Sequence, residues 1–194
     1  MHFREAPPAA RAVRFTFSLP DGVSVPQNAT FALSPDGRLL AFPAVGTDGA
    51  VRIWIHDFSE PEPKPLAAEV TPSALTLAWS PDSRFLVYPH DNKFKRIAIA
   101  GGAPLPIVDT QGQPVGAAWS GDTIIYGAGT AVMKVPASGG TATPVTKADA
   151  SRGEVHAVSG FLPDGRHFLY TRGGRAGQRA LYVGSIDANP DAQD

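Results

Sequence analysis

Short apolar runs, each preceded by a polar turn, recur four times along the chain and predict four small units of β-structure. The runs are Leu39-Leu40-Ala41-Phe42, Phe85-Leu86-Val87-Tyr88, Ile124-Ile125-Tyr126 and Phe168-Leu169-Tyr170. Near-continuous apolar character in a strand means burial on both faces, as in a sheet sandwiched between two others. A third strand follows each run, at Val51 to Ile55, Lys95 to Ile99, Ala131 to Val135 and Ala180 to Val183. Gly-rich turns such as Gly101-Gly102-Ala103-Pro104 and Gly139-Gly140-Thr141-Ala142 then lead to outer strands at Leu105 to Val108 and Thr143 to Thr146. Pro65, Pro104, Pro106 and Pro144 suit a sheet edge, where a backbone donor can be spared.

The turn before each apolar run is itself a repeat. It reads Leu33-Ser34-Pro35-Asp36-Gly37-Arg38, Trp79-Ser80-Pro81-Asp82-Ser83-Arg84, Trp119-Ser120-Gly121-Asp122 and Phe161-Leu162-Pro163-Asp164-Gly165-Arg166. Pro presets φ, Asp accepts bonds from nearby amides, and Gly takes a positive φ, so the chain is made to reverse. Asp36, Asp82, Asp122 and Asp164 are therefore expected to serve these turns structurally rather than as acid catalysts. They recur at intervals of 46, 40 and 42 residues, the length of a four-stranded propeller blade. The predicted blades span 27–70, 71–110, 111–148 and 149–187, the first lengthened by the excursion Ser59 to Pro65. The alternating strand Val13 to Leu19 is expected to complete the fourth blade, which shows no outer strand of its own. Residues 1–12 read as an extended linker and 188–194 as a disordered tail.

Composition agrees with many short strands. The 194 residues include 20 Gly and 19 Pro, too many breakers for a helical bundle, while 43% hydrophobic residues suffice for a core. A formal charge of -1 gives no reason to expect nucleic acid or an anionic membrane. The absence of Cys excludes disulfides, thiolate metal sites and a Cys nucleophile. The start shows no apolar core of a signal peptide, and no apolar run reaches membrane-helix length, so the chain as written is expected to be soluble.

Catalytic chemistry finds little local support. The sequence has no Gly-x-Ser-x-Gly, no His-Glu-x-x-His and no phosphate loop. Gly127-Ala128-Gly129-Thr130-Ala131-Val132 begins like a dinucleotide fingerprint but lacks the third Gly, and reads as a hairpin loop. Asp187-Ala188-Asn189-Pro190-Asp191 imitates a calcium loop without its Gly or distal Glu. Arg172 to Arg179, an Arg-Gly run, reads as a solvated hairpin tip. Trp54, Trp79 and Trp119 read as core. No metal and no cofactor is expected, and no two of the five His share ligand spacing. The ligand-binding candidates are His90 with Asp91, in a loop between the second and third strands of blade 2, and Glu154 with His156, in the loop leading into blade 4. In a propeller both loop classes open on the same rim.

The repeated Ser-Pro-Asp-Gly-Arg turn with its apolar strand, from about Phe31 to Ile186, resembles the TolB-like, WD-type propeller repeat. This implies an all-β propeller of about four blades, fewer than the family's usual six or more, and hence an open or partial ring with uncovered blade faces through which copies could self-associate. More narrowly, Arg11 to Pro20, the Ala100 to Pro104 turn and Phe161 to Tyr170 resemble the propeller region that follows the membrane helix in some bacterial eukaryotic-like serine/threonine kinases. That resemblance implies an extracytoplasmic sensor or interaction domain, with any kinase activity belonging to a parent chain, since no kinase motif is present. The expected function is non-catalytic binding of a protein, peptide or envelope ligand by rim loops. The alternatives are a propeller that gates substrate access in a prolyl oligopeptidase-like hydrolase, and a stand-alone scaffold.

Overall fold

The computed structural model describes residues 16–70, 76–110, 114–174 and 179–192. It is all-β, apart from two single-turn 3-10 helices at Ala150–Arg152 and Pro190–Ala192. Blade 1 comprises β1 (Ala32–Leu33), β2 (Leu39–Val45), β3 (Val51–Asp57) and β4 (Lys64–Glu69). Blade 2 comprises β5 (Ala78–Trp79), β6 (Phe85–His90), β7 (Lys93–Ala98) and β8 (Leu105–Asp109). Blade 3 comprises β9 (Val115–Ser120), β10 (Thr123–Gly127), β11 (Val132–Pro136) and β12 (Thr143–Pro144). Among the described residues blade 4 has three strands, β13 (Val155–Phe161), β14 (His167–Gly173) and β15 (Arg179–Ser185). Every sheet is an antiparallel meander in chain order.

The reversals follow from the turn chemistry. In blade 1 the Ser34 hydroxyl donates to Asp36 Oδ1 at 2.5 Å and accepts from the Leu39 amide at 2.9 Å, while the same Asp36 oxygen accepts from the Arg38 amide. Blade 2 repeats the pattern with Ser80, Asp82, Arg84 and Phe85. In that turn Ser83 occupies the position of Gly37 and takes φ +60°. Blade 4 has Leu162 in place of the Ser, and Asp164 Oδ1 instead accepts from the amides of both Arg166 and His167. Blade 3 differs, because Gly121 and Asp122 alone connect β9 to β10, with Ser120 paired directly to Thr123.

Blades stack through apolar layers. Ala41, Ile53 and Leu66 of blade 1 meet Trp79, Leu86 and Tyr88 of blade 2. Val87, Phe94 and Ile107 of blade 2 meet Ile124, Tyr126 and Val135 of blade 3. Ile125, Val132 and Val145 of blade 3 meet Phe168 and Tyr170 of blade 4. Successive side chains of a strand point to opposite faces, so each middle strand feeds two layers. The result is an open propeller arc, whose ends are the outer faces of blades 1 and 4.

The N-terminal region departs from expectation. Residues 1–12 and 13–15 lie outside the described residues, and Thr16 to Leu19 form no strand. The described segment packs on blade 1 and not on blade 4. Phe17 stacks on His56 with ring centroids 4.2 Å apart and tilts against Phe42, and Leu19, Val23 and Val25 join the same layer. Ser24 and Val45 exchange backbone bonds of 3.2 and 2.8 Å, fixing the segment as a strap across the blade. An apolar face left by an absent neighbour is covered by whatever chain can reach it. The expected tail is ordered in part. Residues 190–192 turn, and Lys147 pairs with Asp191 at 2.7 Å.

Candidate rim site

Asp91 and Asn92 join β6 to β7 in a two-residue hairpin, both with positive φ of 52° and 55°, as a type I′ turn demands. The turn places His90 Nε2 3.0 Å from Asp91 Oδ2, with Lys95 Nζ 3.8 Å from the same oxygen. Asp91 remains largely exposed, whereas His90 is mostly covered. Among the described residues, His90 Nδ1 is buried with no hydrogen-bond partner. Across the hairpin Lys93 pairs with Asp109 at the end of β8.

Asp109 opens onto a cleft of about 450 Å³ between blades 2 and 3. Val108, Tyr126 and Met133 form its apolar lining, with Asp109, Thr130 and Thr141 as its polar groups. Burial pushes the Tyr126 phenol upward, so it stays protonated and can donate. The Gly127 to Ala131 segment that resembled a dinucleotide fingerprint is the hairpin between β10 and β11, with Gly129 at φ +75°. Its Thr130 forms one wall of the cleft. The His90–Asp91 hairpin is legible in the sequence, whereas Asp109, Thr130 and Met133 are not, because a cleft between blades has no local signature.

Glu154 and His156 form a different kind of site. His156 lies within β13 and is fully buried. Thr146 Oγ1 accepts from the Val132 amide and lies 2.7 Å from His156 Nδ1, while His156 Nε2 faces Glu154 Oε2 at 3.5 Å. A carboxylate accepts and does not donate. The consistent arrangement therefore has the Thr146 hydroxyl donating to Nδ1 and the proton on Nε2, facing Glu154. Burial lowers the His156 pKa. Threonine, histidine and carboxylate in line can relay a proton, but Thr146 has no exposed surface. The cluster instead joins blade 3 to blade 4, aided by the His156 amide donating to the Gly129 carbonyl at 2.8 Å. His90 and His156 thus belong to separate networks, and neither lines the cleft, which the first hairpin reaches only through the Lys93–Asp109 pair.

Three of the four turn aspartates, Asp36, Asp82 and Asp164, accept from amides two or three residues on, and Asp122 makes no such bond among the described contacts. The Ser34 hydroxyl lowers the Asp36 pKa, the Ser80 hydroxyl that of Asp82, and the His167 amide that of Asp164. Asp187 pairs with Arg166 at 2.7 Å, and no metal-binding cluster occurs among the described residues. The Arg-Gly run is described only at its ends, where Arg172 lies 4.6 Å over the Tyr182 ring; residues 175–178 lie outside the described residues. Trp54 and Trp79 are buried, while Trp119 is partly exposed with Nε1 bonded to the Gly121 carbonyl. No described helix is long and apolar enough to cross a membrane.

The chain matches no protein-family model and no curated protein. Solved structures do share its fold. TolB from Acinetobacter baumannii superposes with a TM-score of 0.68 at 12% identity, covering 86% of this chain and 42% of that one. A structure from a study of two prolyl endopeptidases superposes with a TM-score of 0.61 at 16% identity, covering 88% of this chain and 28% of that one. A putative TolB from Agrobacterium tumefaciens gives 0.54 at 18% identity, covering 80% and 65%. The fold is therefore a TolB-like β-propeller, and the chain spans from about a quarter to two thirds of these proteins.

Proposed function

We propose that the chain is a non-catalytic propeller module that binds an extended protein or peptide ligand at the rim cleft between blades 2 and 3. The observation carrying this reading is the cleft itself. It joins an apolar lining of Tyr126, Met133 and Val108 to a few polar groups, Asp109, Thr130 and Thr141, held by hairpins of rigid sheets. The Lys93–Asp109 pair ties it to the His90–Asp91 hairpin, so a ligand crossing the rim meets both. The sequence resemblance of Arg11 to Pro20 and Phe161 to Tyr170 supports a finer reading, in which the module senses for a linked serine/threonine kinase. The second reading, a propeller gating a peptidase, draws on the repeat and on a fold shared with prolyl endopeptidases.

A random peptide library selected on the immobilised chain tests the cleft. Peptides enriched on the wild type are expected to bind Thr130→Arg and Thr141→Arg about tenfold or more weakly. Both positions are exposed, so the long side chains fill the cleft and leave the core intact. Equal binding to the variants rejects the cleft as the site.

A further inference from the structure

The hairpin that walls the cleft is held from behind by one buried histidine. Gly127 to Val132 carry the chain from β10 into β11, and Ala128, Thr130 and Ala131 of this hairpin line the cleft. His156 grips the hairpin at three points. A Cβ built on Gly127 would lie 2.5 Å from the His156 carbonyl oxygen, so the first leg is pressed against the β13 backbone with no side chain between. The Gly129 carbonyl, at the tip, accepts from the His156 amide at 2.8 Å. The second leg is reached through Thr146, whose hydroxyl oxygen accepts from the Val132 amide and lies 2.7 Å from His156 Nδ1. Two of these holds pass through the backbone of His156 and one through its ring.

The ring contact is the one that a proton changes. With neutral His156 the Thr146 hydroxyl donates to Nδ1 while its oxygen accepts from Val132. An imidazolium carries a proton on both nitrogens. Nδ1 then becomes a donor, and the Thr146 hydroxyl loses the acceptor for its own proton, where neither residue has exposed surface. A stranded donor and a buried charge are both costly. Both costs are relieved when His156 and Thr146 part and water enters. Because Thr146 also holds Val132, parting loosens the second leg of the hairpin.

The groups facing His156 decide when this happens. From β14, Tyr170 packs edge-on at 5.2 Å as a neutral phenol, and the Arg172 guanidinium opposes a second positive charge. Ahead of β13, Glu154 Oε2 lies 3.5 Å from Nε2 and favours that charge. The hairpin, Gly127 to Val132, brings no charged group. Burial outweighs Glu154, so the ring stays neutral until the pH falls below its ordinary value near 6.5.

We propose that His156 is a proton-operated latch on the cleft: its protonation in mildly acidic solution releases the β10–β11 hairpin, and a ligand held at the cleft is let go. The regulation of binding rests on the cleft being the binding site; the latch itself does not.

The chain contains no Cys, so Thr130→Cys takes an environment-sensitive fluorophore at one place, on the cleft wall. Its emission is expected to titrate with a single midpoint below about pH 6.5, while the circular dichroism spectrum stays constant. His156→Asn abolishes the titration; His90 and Asp109 are retained in that variant and are thereby excluded as its source. Glu154→Gln removes the charge that favours the imidazolium and keeps an acceptor for the Asp149 amide. It therefore moves the midpoint to lower pH, a shift that a merely structural role for His156 would not produce. Emission that is flat with pH, or that titrates unchanged in His156→Asn, overturns the latch. Where His156→Asn does not fold, the Glu154→Gln shift decides alone.

A second measurement reads binding, by fluorescence anisotropy of a His-free peptide from the library with the unlabelled chain. Affinity is expected to fall by up to about tenfold per pH unit below the midpoint, the limit that one proton sets, and to stay constant in His156→Asn. Constant affinity while the emission titrates overturns the regulation. Emission that titrates with no library peptide bound at any pH keeps the latch and rejects the cleft as the binding site.

Discussion

Gly116 faces the backbone of Val158 so closely that a Cβ built on it would lie 1.9 Å from the Val158 carbonyl oxygen. Here the inner strands β9 and β13 approach with no side chain between them, and Gly116 takes φ +74°. Gly116→Ala therefore meets two costs, a left-handed backbone and an overlap with an atom that cannot rotate away. Together they are expected to destabilise the fold by about 3 kcal/mol or more. Gly37 has nearly the same φ, +73°, with nothing within 4 Å. Gly37→Ala is expected to cost about 1 kcal/mol. Urea unfolding of the two variants checks the contrast; equal losses would mean that blades 3 and 4 are not in this contact.

The Ser80 hydroxyl holds two strands of a reversal at once, donating to Asp82 and accepting from the Phe85 amide, and the residue is almost fully buried. Ser80→Ala strands that amide and frees the carboxylate, a loss of about 1–2 kcal/mol. Ser120 stands at the shortened third turn, where Asp122 makes no such bond among the described contacts. Ser120→Ala is expected to lower the thermal midpoint less than Ser80→Ala does. Melting curves of the two variants side by side decide it.

The contrast also shows what the sequence could reveal. Turns built within six residues are legible, because Pro35, Asp36 and Gly37 or Pro163, Asp164 and Gly165 carry their own geometry. Outer strands were legible from proline, since only an edge accommodates it. The strap at residues 16–25 was not, because alternating apolar residues read alike whether they pair in a sheet or lie across a blade. His156 resembles a rim residue in the sequence for a similar reason. Its burial depends on Thr146, which belongs to another blade. The cleft lined by Tyr126, Met133 and Asp109 was invisible for the same cause, being made by packing and not by any one segment.

Acid is expected to loosen the joint between blades 3 and 4. His156 is buried neutral, and its folded pKa lies below the unfolded value near 6.5. Below that value the unfolded chain binds the proton more readily, so the stability this residue provides is present above about pH 6.5 and declines as the pH falls toward its folded pKa. Charged groups around it are Glu154, which opposes the shift, and Arg172, which reinforces it; Tyr170 packs edge-on to its ring. The slope from one residue is no steeper than about 1.4 kcal/mol per pH unit. His156→Asn keeps an acceptor for Thr146 without a titrating group. The difference between wild-type and variant stability is expected to vary between about pH 5 and 7 and to be flat above; a difference flat throughout would show that His156 is not the titrating joint.

Trp79 links the inner strands of blades 1 and 2, its Nε1 donating to the Ala32 carbonyl at 2.9 Å across the blade boundary. β1 is only two residues long, Ala32–Leu33, and its pairing to β2 rests on two residue pairs. A short inner strand held so lightly by its own sheet depends on the neighbouring blade for its place. Trp79→Phe keeps an aromatic in the layer with Leu77 and Leu86 but removes the donor and leaves a gap. The lost bond and the vacated volume together are expected to cost about 2–3 kcal/mol. Amide exchange should rise first at Ala32 and Leu33, ahead of β6 and β7, because the severed bond belongs to blade 1. Uniform exchange across both blades would instead mean that Trp79 acts only as bulk in the core.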